Sequence, residues 1–336
     1  MRVYADRLAG QLTKGLASVY LIHGDEPLLA DEACEAVRKR ARADGYEERQ
    51  LLTVETGFDW NTVSAYSQAL SLFAERRLLE LRLPKGKPGE SGSRVLIEWC
   101  ERPPEDTVLL VWSSRLDKQG QNAKWVKAID AAGVVIPIYA PEPRELPSWA
   151  AARLQAHGLR ANADVAALLA YRYEGNLLAL AQEVEKLALL YPDGTIAADD
   201  IEGDLGDNAR FDVFRLVDAC LQGDGAAVVR ILTGLRAEGV AAVLVLWALA
   251  REARTLAQLS GQLARGEPED KVFRSHGIWP RRQALVRRAL KRLPAGRWLS
   301  LLQGAARADR VVKGREPGDP WQALQALGLT FCGVRW

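Results

Sequence analysis

The sequence is poor in the side chains on which small-molecule chemistry depends. It holds four cysteines and three histidines, and none of them cluster. Cys34, Cys100, Cys220 and Cys332 form no CxxC pair, and His23, His157 and His276 stand equally far apart. A zinc centre needs grouped ligands, so no metal is expected. Scattered thiols without a secretory leader fit a reducing compartment, so a cytoplasmic location is expected. Polar residues interrupt every apolar run near Met1, and the run Val19-Tyr20-Leu21-Ile22 is too short for a leader's apolar segment. No stretch approaches the roughly 18 apolar residues of a membrane span, so no membrane partner is expected. Nor is there a recognisable nucleophile with its base. Asp199-Asp200 sit in a polar connection, whereas acid–base work needs two carboxylates set apart in a cleft. No catalytic residue and no cofactor is nominated.

What is present is enough chain for two or three domains, 336 residues. A hydrophobic share of 48% with 26% charged residues is that of an ordinary globular protein, so the chain is not disordered as a whole. Up to about residue 140, helical and extended patterns alternate. Helical stretches are expected over 5–14, from Pro27 to about Asp44, from Trp60 to about Leu70, and over 120–132. Strands are expected over 18–23, 50–54, 78–83, 107–112 and 134–138. Residues 85–93 are rich in Gly, Pro and Ser and read as a loop. Alternation of this kind implies a mainly parallel sheet covered by helices. The proline-rich run 140–147 reads as a domain boundary. Beyond it the pattern is helical: 148–157, 161–171 and 176–190, an acidic connection over 199–212, then five or six further helices. The expected division is an α/β domain over 1–140, a small helical domain over 141–210 and an all-α domain over 211–336.

An α/β domain followed by a small helical one suggests a P-loop nucleotide-binding protein. The turn after the first strand, Gly24-Asp25-Glu26-Pro27-Leu28-Leu29, has one Gly but neither the Lys nor the Ser/Thr of a working P-loop. Asp25 and Glu26 stand where phosphate would lie. The later strand, 108–114, lacks the terminal acid that holds magnesium. Arg115 just after it invites comparison with an arginine finger, although a polar loop at a strand end explains it as well.

Two positive signals remain. Residues 271–308 contain no Asp or Glu, but they include Lys271, Arg274, Arg281, Arg282, Arg287, Arg288, Lys291, Arg292, Arg297 and Arg307. Trp279 lies beside the first arginine pair. Cations with a stacking aromatic hold nucleic acid without reading its sequence, so Trp279, Arg281 and Arg282 are DNA-binding candidates. The plainer alternative is a solvated basic face around a core tryptophan. The second signal is Gln68-Ala69-Leu70-Ser71-Leu72-Phe73. On a continuing helix Leu72 and Phe73 point about 100° apart, so both cannot follow Trp60, Val63 and Tyr66 inward. The alternative is that they anchor the helix end.

The segment 68–73 resembles the clamp-binding element of the delta-subunit family of the bacterial DNA polymerase III clamp loader. Residues 173–182, Tyr-Glu-Gly-Asn-Leu-Leu-Ala-Leu-Ala-Gln, resemble that family's second domain. Residues 211–223, with Phe214, Val217, Asp218 and Ala219, are similar to the start of its third. The order of elements matches over essentially the whole chain. The resemblance implies an AAA+-like module with a parallel sheet, a small helical domain and a helical collar. It implies a DNA replication role within the polymerase holoenzyme, a nucleotidyltransferase complex, with no ATP hydrolysis by this chain. The implied partners are the sliding clamp (beta subunit), the delta-prime and tau/gamma subunits, and primer–template DNA in the assembled loader. Gln68, Leu70, Leu72 and Phe73 would contact the clamp. In the collar loop 313–321, Glu316 and Pro317 stand where some relatives carry an aromatic, so the resemblance does not extend to DNA contact there. Arg335 and Trp336 match nothing assignable. A nucleotide-free AAA+-like adaptor with another protein partner stays open as the alternative, as does an unusual ATPase.

Overall fold

The computed structural model describes residues 1–68, 76–198, 200–201 and 209–334. The chain forms two compact units, Met1–Ala140 and Pro141–Trp336.

The first unit is built on five parallel strands: β1 (Val19–Gly24), β2 (Glu48–Thr53), β3 (Arg77–Leu83), β4 (Thr107–Ser113) and β5 (Val134–Ile138), in the order β2-β3-β4-β1-β5. β1 is buried along its whole length, as a central strand with both faces covered must be. Alternation then sorts its side chains. Tyr20 and Ile22 join a core with helices α1 (Leu8–Leu12) and α2 (Pro27–Ala43), while Val19 and Leu21 join the opposite core with Trp60, Trp99 and Trp125. Pro27 opens α2, where its missing N–H costs nothing. The inward stripe of α2, Ala30, Ala33, Cys34, Val37 and Ala41, is made of small residues, which lets the helix lie close to the sheet.

On the other face lie α3 (Asn61–Gln68), α4 (Gly89–Glu101), α5 (Lys118–Gln121) and α6 (Lys124–Ala132). Two expectations are corrected here. The glycine-rich loop ends at Pro88, and its latter half is the first turn of α4, which buries Leu96 and Trp99. Gly92 is required there: a Cβ would come within 2.3 Å of the Trp60 ring. The single helix expected over 120–132 is two, because Asp117 caps a short first turn by accepting from the Gly120 amide.

The second unit is nearly all helical: α7 (Leu146–Ala156), α8 (Ala163–Arg172), α9 (Leu177–Leu190), α10 (Ala209–Gln222), α11 (Gly225–Ala237), α12 (Ala242–Ala264), α13 (Glu269–Ser275), α14 (Pro280–Arg292), α15 (Ala295–Val312) and α16 (Pro320–Phe331). Among the described residues, seven helices follow residue 208, where five or six were expected. A short parallel pair, β6 (Arg160–Ala161) with β7 (Thr195–Ile196), was not foreseen in this part. Asn162, Asn176 and Asp224 cap α8, α9 and α11 with side-chain oxygens 2.9–3.0 Å from main-chain amides, each worth about 1 kcal/mol. The core of α10–α16 centres on Trp298, which is fully buried. Its indole N–H donates to the Leu293 carbonyl at 3.2 Å, and its ring meets Phe331 edge-on. No helix among the described residues is long and apolar enough to cross a membrane, and none of their His, Cys, Asp and Glu side chains form a metal-binding group.

Candidate functional site

In an open parallel sheet, ligands bind beyond the strand ends where the strand order reverses. Here that point is the turn after β1. Gly24 serves packing rather than phosphate: a Cβ would stand 2.3 Å from the Ile138 carbonyl oxygen of β5. Glu26 caps α2 itself, its carboxylate accepting from the Leu28 amide at 3.3 Å. A helix N-terminus that would draw a phosphate is thus met by the chain's own anion. Partial burial raises the Glu26 pKa, against the Leu28 hydrogen bond and with a smaller push from Asp25. Arg115 reaches back to Asp25 at 2.9 Å, across the turn. Its guanidinium therefore has a partner within its own domain, which accounts for it without a finger role.

In the second unit, Trp279 precedes Pro280 and opens α14 in an extended conformation. Its half-buried ring lies 5.2 Å from that of Tyr171, tilted by 59°. Arg281 is exposed on the outer face of α14, where Arg288 and Lys291 follow at helical spacing. Trp279, Arg281, Tyr171, Arg172 and Arg215 border a groove of about 620 Å³.

Arg282 contradicts its nomination as a phosphate contact. It is 5% exposed, on the inward stripe with Val286 and Ala289. Its guanidinium pairs with Asp218 at 2.9 Å and Glu252 at 3.0 Å, and donates to the Tyr171 hydroxyl at 2.6 Å. It also stacks 4.0 Å from the Tyr171 ring centroid. Arg251 covers the same ring at 4.2 Å and donates to the Tyr171 carbonyl at 2.9 Å. Burial opposes the charge on Arg282, but Glu252, Tyr171 and Asp218 outweigh it and raise its pKa. Burial also raises the Tyr171 pKa, so the phenol stays protonated and donates to Glu252 at 3.1 Å. Tyr171, Glu252 and Asp218 were not nominated from sequence. Their signal was the phase of α14, which turns Arg282 inward and so demands acids opposite it.

Arg287, Arg292 and Arg307 also have internal partners, Arg307 with Glu316 at 3.8 Å. Arg287 pairs with Glu269 at 2.6 Å, and Arg292 donates to the Cys220 and Phe331 carbonyls at 3.0 and 3.1 Å. In the loop 313–321, Glu316 pairs with Arg310, while Asp319 caps α16 and meets Arg236 at 3.2 Å. Of the candidate clamp element, Gln68 is the last residue of α3. Leu70, Leu72 and Phe73 lie outside the described residues, as do Arg335 and Trp336.

Residues 20–138 match the family model described as DNA polymerase III, delta subunit. Residues 213–335 match that of the processivity clamp loader gamma complex, DNA pol III C-term. DNA polymerase III subunit delta of Escherichia coli (strain K12) is 36% identical over 332 residues, 99% of this chain and 96% of the relative. The subunit of the same name from Haemophilus influenzae is 29% identical, covering 98% of this chain and 99% of the relative. The solved Bacillus subtilis DNA clamp loader delta protein aligns with a TM-score of 0.59 over 98% of this chain and all of that one. At 16% identity it speaks for the fold alone.

Proposed function

Because this chain belongs to the DNA polymerase III delta-subunit family, we propose that it binds the sliding clamp, favours the open ring and does not itself hydrolyse ATP. The observation that carries the ATP part is the turn after β1, where Glu26 caps α2 and Arg115 pairs with Asp25. Purified chain should therefore show no saturable ATP binding, and micromolar affinity in a filter assay would overturn this part.

Clamp binding is assigned to Gln68, Leu70, Leu72 and Phe73. Full burial of Leu72 and Phe73 is worth roughly 1.5–3 kcal/mol each. Nanomolar affinity needs about 12 kcal/mol net, so the pair is a hot spot within a larger interface that includes Gln68 and Leu70. Opening is a population shift: the ring opens only if the bound chain fits the open clamp better than the closed one. The chain should then release closed clamps from circular DNA without ATP. Leu72→Ala with Phe73→Ala should abolish binding and release while circular dichroism stays unchanged. A folded double variant that unloads at the wild-type rate would sink the assignment. Failure of the wild-type chain to bind the clamp would leave the adaptor reading in its place.

Within the loader we assign the delta-prime and tau/gamma subunits as partners. The helical unit is read as a small section over 141–210 and a collar over 211–336. Primer–template DNA would meet Trp279 by stacking and Arg281 by charge. Arg282 acts from below, holding Trp279 and Tyr171 in place.

A further inference from the structure

The C-terminal ends of α10 and α16 meet over one carbonyl group. The Cys220 thiol, fully buried near the end of α10, donates to the Gly328 oxygen at 3.7 Å. The amide of Cys332, which closes α16, is directed at the same oxygen at 3.4 Å. Cys220 through its thiol and Cys332 through its amide thus converge on the Gly328 carbonyl. The missing side chain at Gly328 lets α11 pack closely there, since a Cβ would sit 2.8 Å from a Val228 methyl group, and the Cys220 sulfur stands 3.7 Å from that same Cβ position. Arg292 ties the two ends together through the Cys220 and Phe331 carbonyls.

The sulfurs differ in access and charge. Cys332 is half-buried and Cys220 has no exposed surface. The neighbouring Cys220 thiol lowers the Cys332 pKa, with help from the Arg292 guanidinium and against partial burial. Burial raises that of Cys220. The thiolate is the nucleophile, so Cys332 is the attacking sulfur and Cys220 the one that resolves. Cys34 and Cys100 lie in the other unit, and burial pushes both thiols up to about 12.

We propose that Cys220 and Cys332 form a reversible intramolecular disulfide when the protein meets a hydroperoxide. The Cys332 thiolate attacks the peroxide oxygen and the O–O bond breaks. A sulfenic acid forms on Cys332, and the alcohol, or water, leaves with the proton. The Cys220 sulfur then displaces the sulfenic oxygen as water, which carries away the Cys220 proton. Two thiols are oxidised and one peroxide is reduced by two electrons. A dithiol reductant reverses the bond by exchange. The product fastens the last helix of the chain to α10.

The test uses the full-length protein in native buffer with hydrogen peroxide, followed by alkylation, digestion and mass spectrometry. Expected is a linked peptide pair containing Cys220 and Cys332, lighter by two hydrogens and split by dithiothreitol, with Cys34 and Cys100 recovered alkylated. Cys332→Ser should abolish the link. Cys220→Ser should leave a sulfenic acid on Cys332 that a 1,3-dione captures. Overoxidation of Cys332 in the wild-type chain with Cys220 still alkylated would overturn the proposal. So would links distributed among all four cysteines, or no reaction at Cys332 under conditions that oxidise Cys100. Mapping the wild-type protein decides the matter even if a serine variant folds poorly.

Discussion

Each unit of the molecule buries a charge, and the two solutions are opposites. In the α/β unit a carboxylate is enclosed by guanidinium groups: Glu80 on β3 is 3% exposed, and Arg38 grips both its oxygens at 2.8 and 3.0 Å while Arg49 covers it from outside. In the helical unit a guanidinium is enclosed by carboxylates, Arg282 between Glu252 and Asp218. The difference lies in access to water. Arg49 is nearly half exposed, so loss of its partner leaves it hydrated, whereas Glu252 is only 2% exposed. The Arg282 cluster also carries the aromatic pair Tyr171–Trp279, and its neighbour Arg281 faces outward. The first buried charge holds a sheet together; the second shapes a surface.

The largest expected effect tests that contrast directly. Arg282→Ala strands the buried Glu252 carboxylate and should cost about 3–5 kcal/mol of stability. Glu80→Gln keeps the shape and leaves Arg49 hydrated and Arg38 beside Asp31 and Glu35, so about 1–3 kcal/mol is expected. Denaturant unfolding of both variants checks the order. Equal losses would mean that access to water does not separate the two clusters.

Acid should sharpen the comparison, because the α/β unit contains His23. Burial, with a smaller push from Arg2, lowers its pKa from 6.5 to about 4. The folded state therefore prefers the neutral ring. Its contribution is fully present above pH 6.5, falls as the pH drops toward 4, and amounts to at most about 3 kcal/mol. Glu80 adds in the same direction: its arginine partners lower its pKa against burial, so its contribution too is lost as the pH falls, but lower on the scale. Unfolding of the α/β unit should thus be markedly easier at pH 5 than at pH 7, and His23→Gln should flatten that slope. A slope unchanged by the substitution would remove His23 as the cause.

These clusters also mark how far the sequence could be read. The parallel sheet was legible because β1 and β4 are unbroken apolar runs and Pro27 announces α2. Helix α4 was hidden because its first turn is Gly, Glu, Ser and Gly, a composition set by the Trp60 ring pressing on Gly92. Ionic partners were the least legible. Arg281 and Arg282 are chemically identical neighbours, and only the phase of α14 separates them: Val286 and Ala289 follow Arg282 at four and seven residues, so it is the one that turns inward. Its acids come from α10 and α12, far away in sequence, and no local pattern links them.

The smallest expected effects concern Trp279 and the outer face of α14, where binding is the readout. Trp279→Ala in an intact loader should weaken primer–template binding by about 1–3 kcal/mol, the worth of one stacked base. Arg281→Ala should change stability by no more than about 0.5 kcal/mol, as an exposed position does. It should also reduce the slope of log affinity against log salt by about 0.7–0.9, the share of one phosphate contact. If Arg281 and Arg282 both met phosphates, removing the pair would lower the slope by nearly twice that. With Arg282 enclosed, the pair should change the slope no more than Arg281 alone, and the further loss should be one of stability. Arg282→Lys separates the cases, since it keeps a charge but loses the fork that spans Glu252 and Asp218. A folded Arg282→Lys loader should keep the wild-type salt slope. A slope lowered by one further contact would place Arg282 on the DNA and undo the division between the outward and inward arginines.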